Sequence, residues 1–168
     1  REYAQRYGTK IDGWWFDHAS FGNMNLIHKE LTEPNPKTII AFNQGKCGTI
    51  ANYNPAYEDY TFGHPVPMRR TPANSWINHK MMTAIEKTKN GFCINAGKPS
   101  LGHMFMPMKE RWNKGHRIVW PEAQAVSWMQ RVLKAGGSWT WNVPLDDKNS
   151  ILENDTAQFA KTVGAQLR

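Results

Sequence analysis

Asp17 directly follows the aromatic-rich run 11–16, and a carboxylate at the mouth of a short buried strand is held rigidly while it faces outward. Such a group suits nucleophilic attack; in glycoside hydrolysis the carboxylate must lie within bonding reach of an anomeric carbon. Spacing alone leaves a second use equally open, with Asp17 capping the helix expected from Asn23 or joining an ion pair. Other polar residues at expected strand ends, Asn43, Asn95, His103 and Asn142, could hydrogen-bond sugar hydroxyls, although residues of these types also cap loops and turns. The chain carries eight tryptophans, whose flat rings can cover the apolar face of a sugar or fill a core. Trp112 and Trp120 are the expected stacking platforms, because the buried strands claim Trp14, Trp139 and Trp141.

Composition narrows the alternatives. Two cysteines, Cys47 and Cys93, are too few for a disulfide framework and lack zinc-site spacing. No metal or other cofactor is expected. The net charge of +7 would favour nucleic acid or an anionic polysaccharide if it were gathered on one face. The densest basic stretches, 68–70 and 109–114, are short and interrupted, so no nucleic-acid partner is expected. No run approaches the roughly 18 apolar residues that cross a bilayer, and no membrane partner is expected either.

These residues need a scaffold, and strand-like and helix-like stretches alternate as in an α/β protein. Helices are expected at 1–8, 23–31, 73–87, 122–134 and 151–167, the fourth opening after Pro121 and closing at Gly136. Strands are expected at 11–16, 38–42, 60–62, 91–95 and 138–143, with long loops at 43–71 and 96–120. Met104, Met106 and Met108 read as a packed loop. Long loops after strands are where (β/α)8 TIM-barrel enzymes place their sites. At 168 residues the chain is shorter than the roughly 250 of a whole barrel, so it would hold only about strands 4 to 8. Residues 1–168 are then expected to be the C-terminal part of one catalytic barrel. Arg1 reads as the middle of a helix, so a preceding segment is expected, and the missing N-terminal half, or another chain, would complete the cleft.

Several motifs occur in one order: Tyr7-Gly8 before Gly13-Trp14-Trp15-Phe16-Asp17, then 36–43, then Asp59-Tyr60-Thr61-Phe62-Gly63, then 136–144. In that order the chain resembles glycoside hydrolase family 29, the α-L-fucosidases. The resemblance implies a retaining glycosidase that cleaves a terminal α-linked sugar of an oligosaccharide or polysaccharide, in a secreted or periplasmic setting. Asp17 would be its nucleophile and a second carboxyl group its acid/base. The family often has Glu after this glycine, whereas His64 stands there. Glu58 and Asp59 are therefore the expected catalytic acids, Glu58 first, with His64 the third choice or a substrate-binding residue. His18, where many family members have glycine, is expected to bind substrate, as are Asn43, Trp112 and Trp120. The competing reading is a non-catalytic carbohydrate-binding or structural protein that keeps the scaffold.

Overall fold

A computed structural model describes residues 1–20, 22–65, 75–110, 112, 115–145 and 151–167. The basic stretch at 68–70, the expected helix start at 73–74 and most of 111–114 lie outside these residues.

The helices follow their sequence signals. Helix α1 (Glu2–Tyr7) ends at Gly8. The Asn23 side chain accepts the Leu26 N–H and opens α2 (Met24–Thr32), and Ser75 does the same for Asn78 at α3 (Trp76–Glu86), each satisfying an amide that has no partner within the helix. α4 (Glu122–Lys134) starts after Pro121, and α5 is Asn154–Ala165. No helix among the described residues is long and apolar enough to cross a membrane.

The strands are β1 (Gly13–Phe16), β2 (Ile39–Phe42), β3 (Phe92–Asn95), β4 (Lys98–Leu101), β5 (His103–Pro107) and β6 (Ser138–Asn142). β1 runs parallel to β2, β5 runs parallel to β6, and β3 pairs antiparallel with β4. The expected barrel arc of strands 4 to 8 is not what the described residues build; they form three two-stranded sheets in a small α/β domain.

Two local effects explain the difference. The expected strand at 60–62 makes only the single bridge Tyr60 to Leu101, because side chains intercept the backbone donors a ladder would use. The Asp59 carboxylate takes the Ile40 N–H at 3.0 Å, and the Thr61 hydroxyl takes the His103 N–H at 2.9 Å. The expected strand at 91–95 instead folds back through Ala96 and Gly97, both at positive φ, as a tight hairpin requires. Its parallel role passes to β5, inside what reads as an irregular stretch.

Alternation along the strands divides the interior. Met104 and Met106 on β5, with Met108 just beyond it, are buried on the helix side with Met81, Met82 and Ile85 of α3, Trp128 and Val132 of α4, and Phe159 of α5. The packed methionines are thus on and after a strand instead of in a loop. On β1 and β2, Trp14, Phe16, Ile40 and Phe42 pack toward Ala4, Met24 and Leu31. Successive side chains of a strand point to opposite faces, so Trp15, Asp17, Ala41, Asn43, His103, Phe105, Thr140 and Asn142 are left for the other face.

Candidate active site

The C-terminal ends of the parallel strands bring five of the expected residues together, His18 beside Asp17 among them. Asp17 follows β1, Asn43 follows β2, His64 ends the irregular segment beside them, and Trp112 lies in the loop after β5. The Asn43 N–H donates to the Phe16 carbonyl and Ala19 donates back to Asn43, both at 2.8 Å, so the strand ends are locked in register. The Asn43 side-chain amide donates to Asp17 Oδ1 at 2.9 Å, and the His18 N–H donates to the same oxygen at 3.0 Å. The Asp17 side chain remains 39% exposed. It is an oriented carboxylate with an open face.

His18 Nε2 lies 3.6 Å from Asp17 Oδ2, and its backbone has φ +51°, where a side chain costs about 1–2 kcal/mol and glycine almost nothing. Strain of this kind next to a candidate nucleophile fits a site held by its surroundings.

His64 is fixed from several sides. Gly63 precedes it at φ +63°, and a Cβ there would come within 2.3 Å of the His103 carbonyl oxygen, so only glycine makes this turn. The Gly63 carbonyl accepts the Phe105 N–H at 3.0 Å. His64 Nδ1 lies 2.9 Å from the Pro65 carbonyl, which can only accept, so Nδ1 carries the proton and Nε2 is left for chemistry. Trp112 packs against the imidazole at 4.6 Å between ring centroids, and Trp15 lies nearly parallel to it at 6.3 Å. Burial lowers the His64 pKa, while the Pro65 carbonyl and the Asp17 charge oppose that shift and the His18 charge adds to it.

Glu58 and Asp59 are employed elsewhere. Glu58 is fully buried; its carboxylate accepts the Phe42 N–H at 2.8 Å and a short bond from the Asn54 N–H. Burial raises its pKa against these bonds. Asp59 bonds to Ile40, three residues before Asn43. Neither shares a hydrogen-bond partner with Asp17 among the described residues. Trp120 is also apart: it is 4% exposed in the core against Trp128, Trp139 and Trp141, with its indole N–H on the Pro107 carbonyl at 3.0 Å. Trp15, Gly63 and Phe105 were not expected at the site. The two-residue step from Trp15 to Asp17 on one strand was the available signal for Trp15. Among the described residues no group of His, Cys, Asp or Glu could hold a metal ion.

The model of a protein family described as endo-alpha(1,4)-fucoidanase Mef1 matches residues 49–168. The chain belongs to the Mef1 endo-alpha(1,4)-fucoidanase family. This overturns the α-L-fucosidase resemblance: the expected assignment to glycosidases stands, and the family within them changes. The motifs behind the resemblance are strand ends, short local patterns that unrelated specificities can share. The fold is that of solved endo-fucoidan hydrolases of glycoside hydrolase family 107. MfFcnA9 superposes with a TM-score of 0.77 at 24% identity, over 98% of this chain and 34% of that one. MfFcnA4 gives 0.73 at 25% identity, over 98% and 29%. P5AFcnA gives 0.76 at 18% identity, over 99% and 53%. The chain thus spans between 29% and 53% of the length of these three hydrolases. The comparison with curated proteins finds no match. The family match at 49–168 spans His64 and Trp112, while Asp17 and Asn43 precede it.

Proposed function

We propose that this chain supplies the nucleophile and acid/base of a retaining endo-acting hydrolase that cleaves α(1,4) linkages within a fucoidan chain. The observation that carries the reading is the juxtaposition of Asp17, oriented by Asn43 and open on one side, with His64, whose free Nε2 belongs to a ring electrostatically coupled to Asp17. The substrate class comes from the family description.

In the first step the Asp17 carboxylate attacks the anomeric carbon, and the bond to the leaving oxygen breaks as that oxygen takes the proton from His64 Nε2. In the second step neutral Nε2 takes a proton from water, which attacks the same carbon and releases Asp17. An imidazole can perform both transfers near neutral pH. Trp112, beside His64, offers a flat apolar surface for a sugar ring.

The test is Asp17→Ala in the full-length protein acting on fucoidan, followed by product size. The reading expects the wild type to shorten the polymer rapidly, the variant to lose at least about 1000-fold in kcat, and azide to restore part of the activity as an external nucleophile. Wild-type turnover in Asp17→Ala would dispose of it.

A further inference from the structure

We propose that Trp15 is a positioning residue: its indole N–H holds the backbone leading to His64, and its ring forms the wall against which the imidazole lies, fixing His64 relative to Asp17. The inference rests on the roles of Asp17 and His64 proposed above. Trp15 precedes Asp17 by two residues, so the strand pleat sets both on one face of β1. Its Nε1 donates to the Phe62 carbonyl at 2.9 Å, a bond between residues 47 positions apart in sequence. One rigid side chain therefore spans from the strand of the nucleophile to the segment that carries the imidazole.

The ring contacts complete the clamp. The Trp15 plane lies 16° from that of His64, and Trp15 meets Phe105 at 4.7 Å and 65°. Phe105 in turn packs on Trp112 at 5.1 Å, and Trp112 reaches His64. His64 thus sits between two indoles joined through Phe105, and the Gly63 carbonyl just before it accepts the Phe105 N–H at 3.0 Å. Asp17 and His18 are the charged or titratable groups that act on the imidazole; Trp15, Trp112 and Phe105 contribute shape and exclusion of water.

The experiment compares Trp15→Phe, which keeps a ring and deletes the indole donor, with Trp15→Leu, which removes both, in the full-length protein. Misplacement of a catalytic group by about 1 Å can cost 100-fold, so kcat should fall about 100-fold in Trp15→Leu and by about 10-fold in Trp15→Phe. KM should stay within about twofold. In parallel, NMR titration of the His64 imidazole, assigned with His64→Gln, should show its pKa rising toward that of an ordinary histidine as the wall is removed. Unchanged kcat and an unchanged His64 titration in both variants would overturn the proposal. So would a loss appearing only in KM, which would make Trp15 a sugar contact. If Trp15→Leu loses its cooperative melt, Trp15→Phe decides the matter. Asp17→Asn is measured alongside: retained turnover there sinks the catalytic reading, while the titration still decides whether Trp15 holds His64.

Discussion

With the His64 Nδ1 proton committed to the Pro65 carbonyl, Nε2 is the nitrogen able to exchange a proton with substrate, and its protonation sets the pH dependence. A general acid works only while protonated, and burial holds the His64 pKa below that of an ordinary histidine. The descending limb of kcat/KM should therefore have its midpoint below about 6.5, and His64→Ala should abolish that limb. The same variant should depress turnover of fucoidan by roughly 100- to 1000-fold while largely sparing the first step on an activated aryl oligofucoside, whose leaving group needs no proton. Glu58→Gln, measured beside it, should show no such selectivity, because Glu58 is already spent on the Phe42 and Asn54 amides. If Glu58→Gln alone shows the selective loss, His64 is not the acid. The places of Asp17, Asn43, His64 and Trp112 were legible in the sequence because each follows a strand or lies in a loop after one, although spacing alone left Asp17 equally open to capping or ion pairing. Glu58 and Trp120 were not, since a one-dimensional pattern cannot separate an acid that binds backbone amides from one facing a cleft, or a buried indole from an open one.

Elements whose signals are local appear where the sequence places them: the Asn23 cap, Pro121 and Gly136 bound their helices within a residue or two. Strand pairing depends on partners far along the chain, which a local pattern does not show. β5 is a short Met-rich run bounded by Gly102 and ending in Pro107, without the signature of a strand, yet it pairs with β6. His103, at the start of β5, shows how these elements are tied. Its Nδ1 donates to the Thr61 carbonyl at 3.2 Å and its Nε2 accepts from the Thr140 hydroxyl at 2.9 Å, so one buried imidazole joins the irregular segment, β5 and β6. Burial favours the neutral ring and holds its pKa down at about 4. The folded value lies below the unfolded one, so this contribution is fully present above pH 6.5 and is lost as pH falls toward 4. A difference of that size corresponds to about 3 kcal/mol by linkage. Urea midpoints should fall between pH 7 and pH 4.5, and His103→Gln should be less stable at pH 7 but lose much of that slope. An identical slope in the variant would remove His103 from the account.

At the scale of the whole chain, two apolar clusters, one under β1 and β2 and one under β5 and β6, are joined through residues 59–63. Asp59 and Thr61 bond to Ile40 and Leu101, and Tyr60 donates its hydroxyl to the Trp14 carbonyl at 2.7 Å. This seam of side-chain and isolated backbone bonds replaces a continuous ladder, yet it still points the parallel strand ends the same way, which is what a shared site needs. The arrangement leaves edges open: among the described residues, β1 pairs with β2 alone and β6 with β5 alone. Parallel strands are normally covered on both faces and flanked by neighbours, and an uncovered edge recruits another strand. Large apolar side chains add to the exposed area, with Trp76 71% and Ile94 69% accessible. Isolated exposed apolar residues are ordinary, but together with unpaired strand edges they favour association. Residues 1–168 expressed by themselves should therefore self-associate, giving a mass by size-exclusion chromatography with light scattering well above 19.3 kDa. Lys substitutions at Trp76 and Ile94 should reduce the association without abolishing it, because the strand edges remain. A well-behaved monomer with a cooperative melt would show that β1 and β6 need no further partner and that the seam at 59–63 suffices to hold the two clusters together.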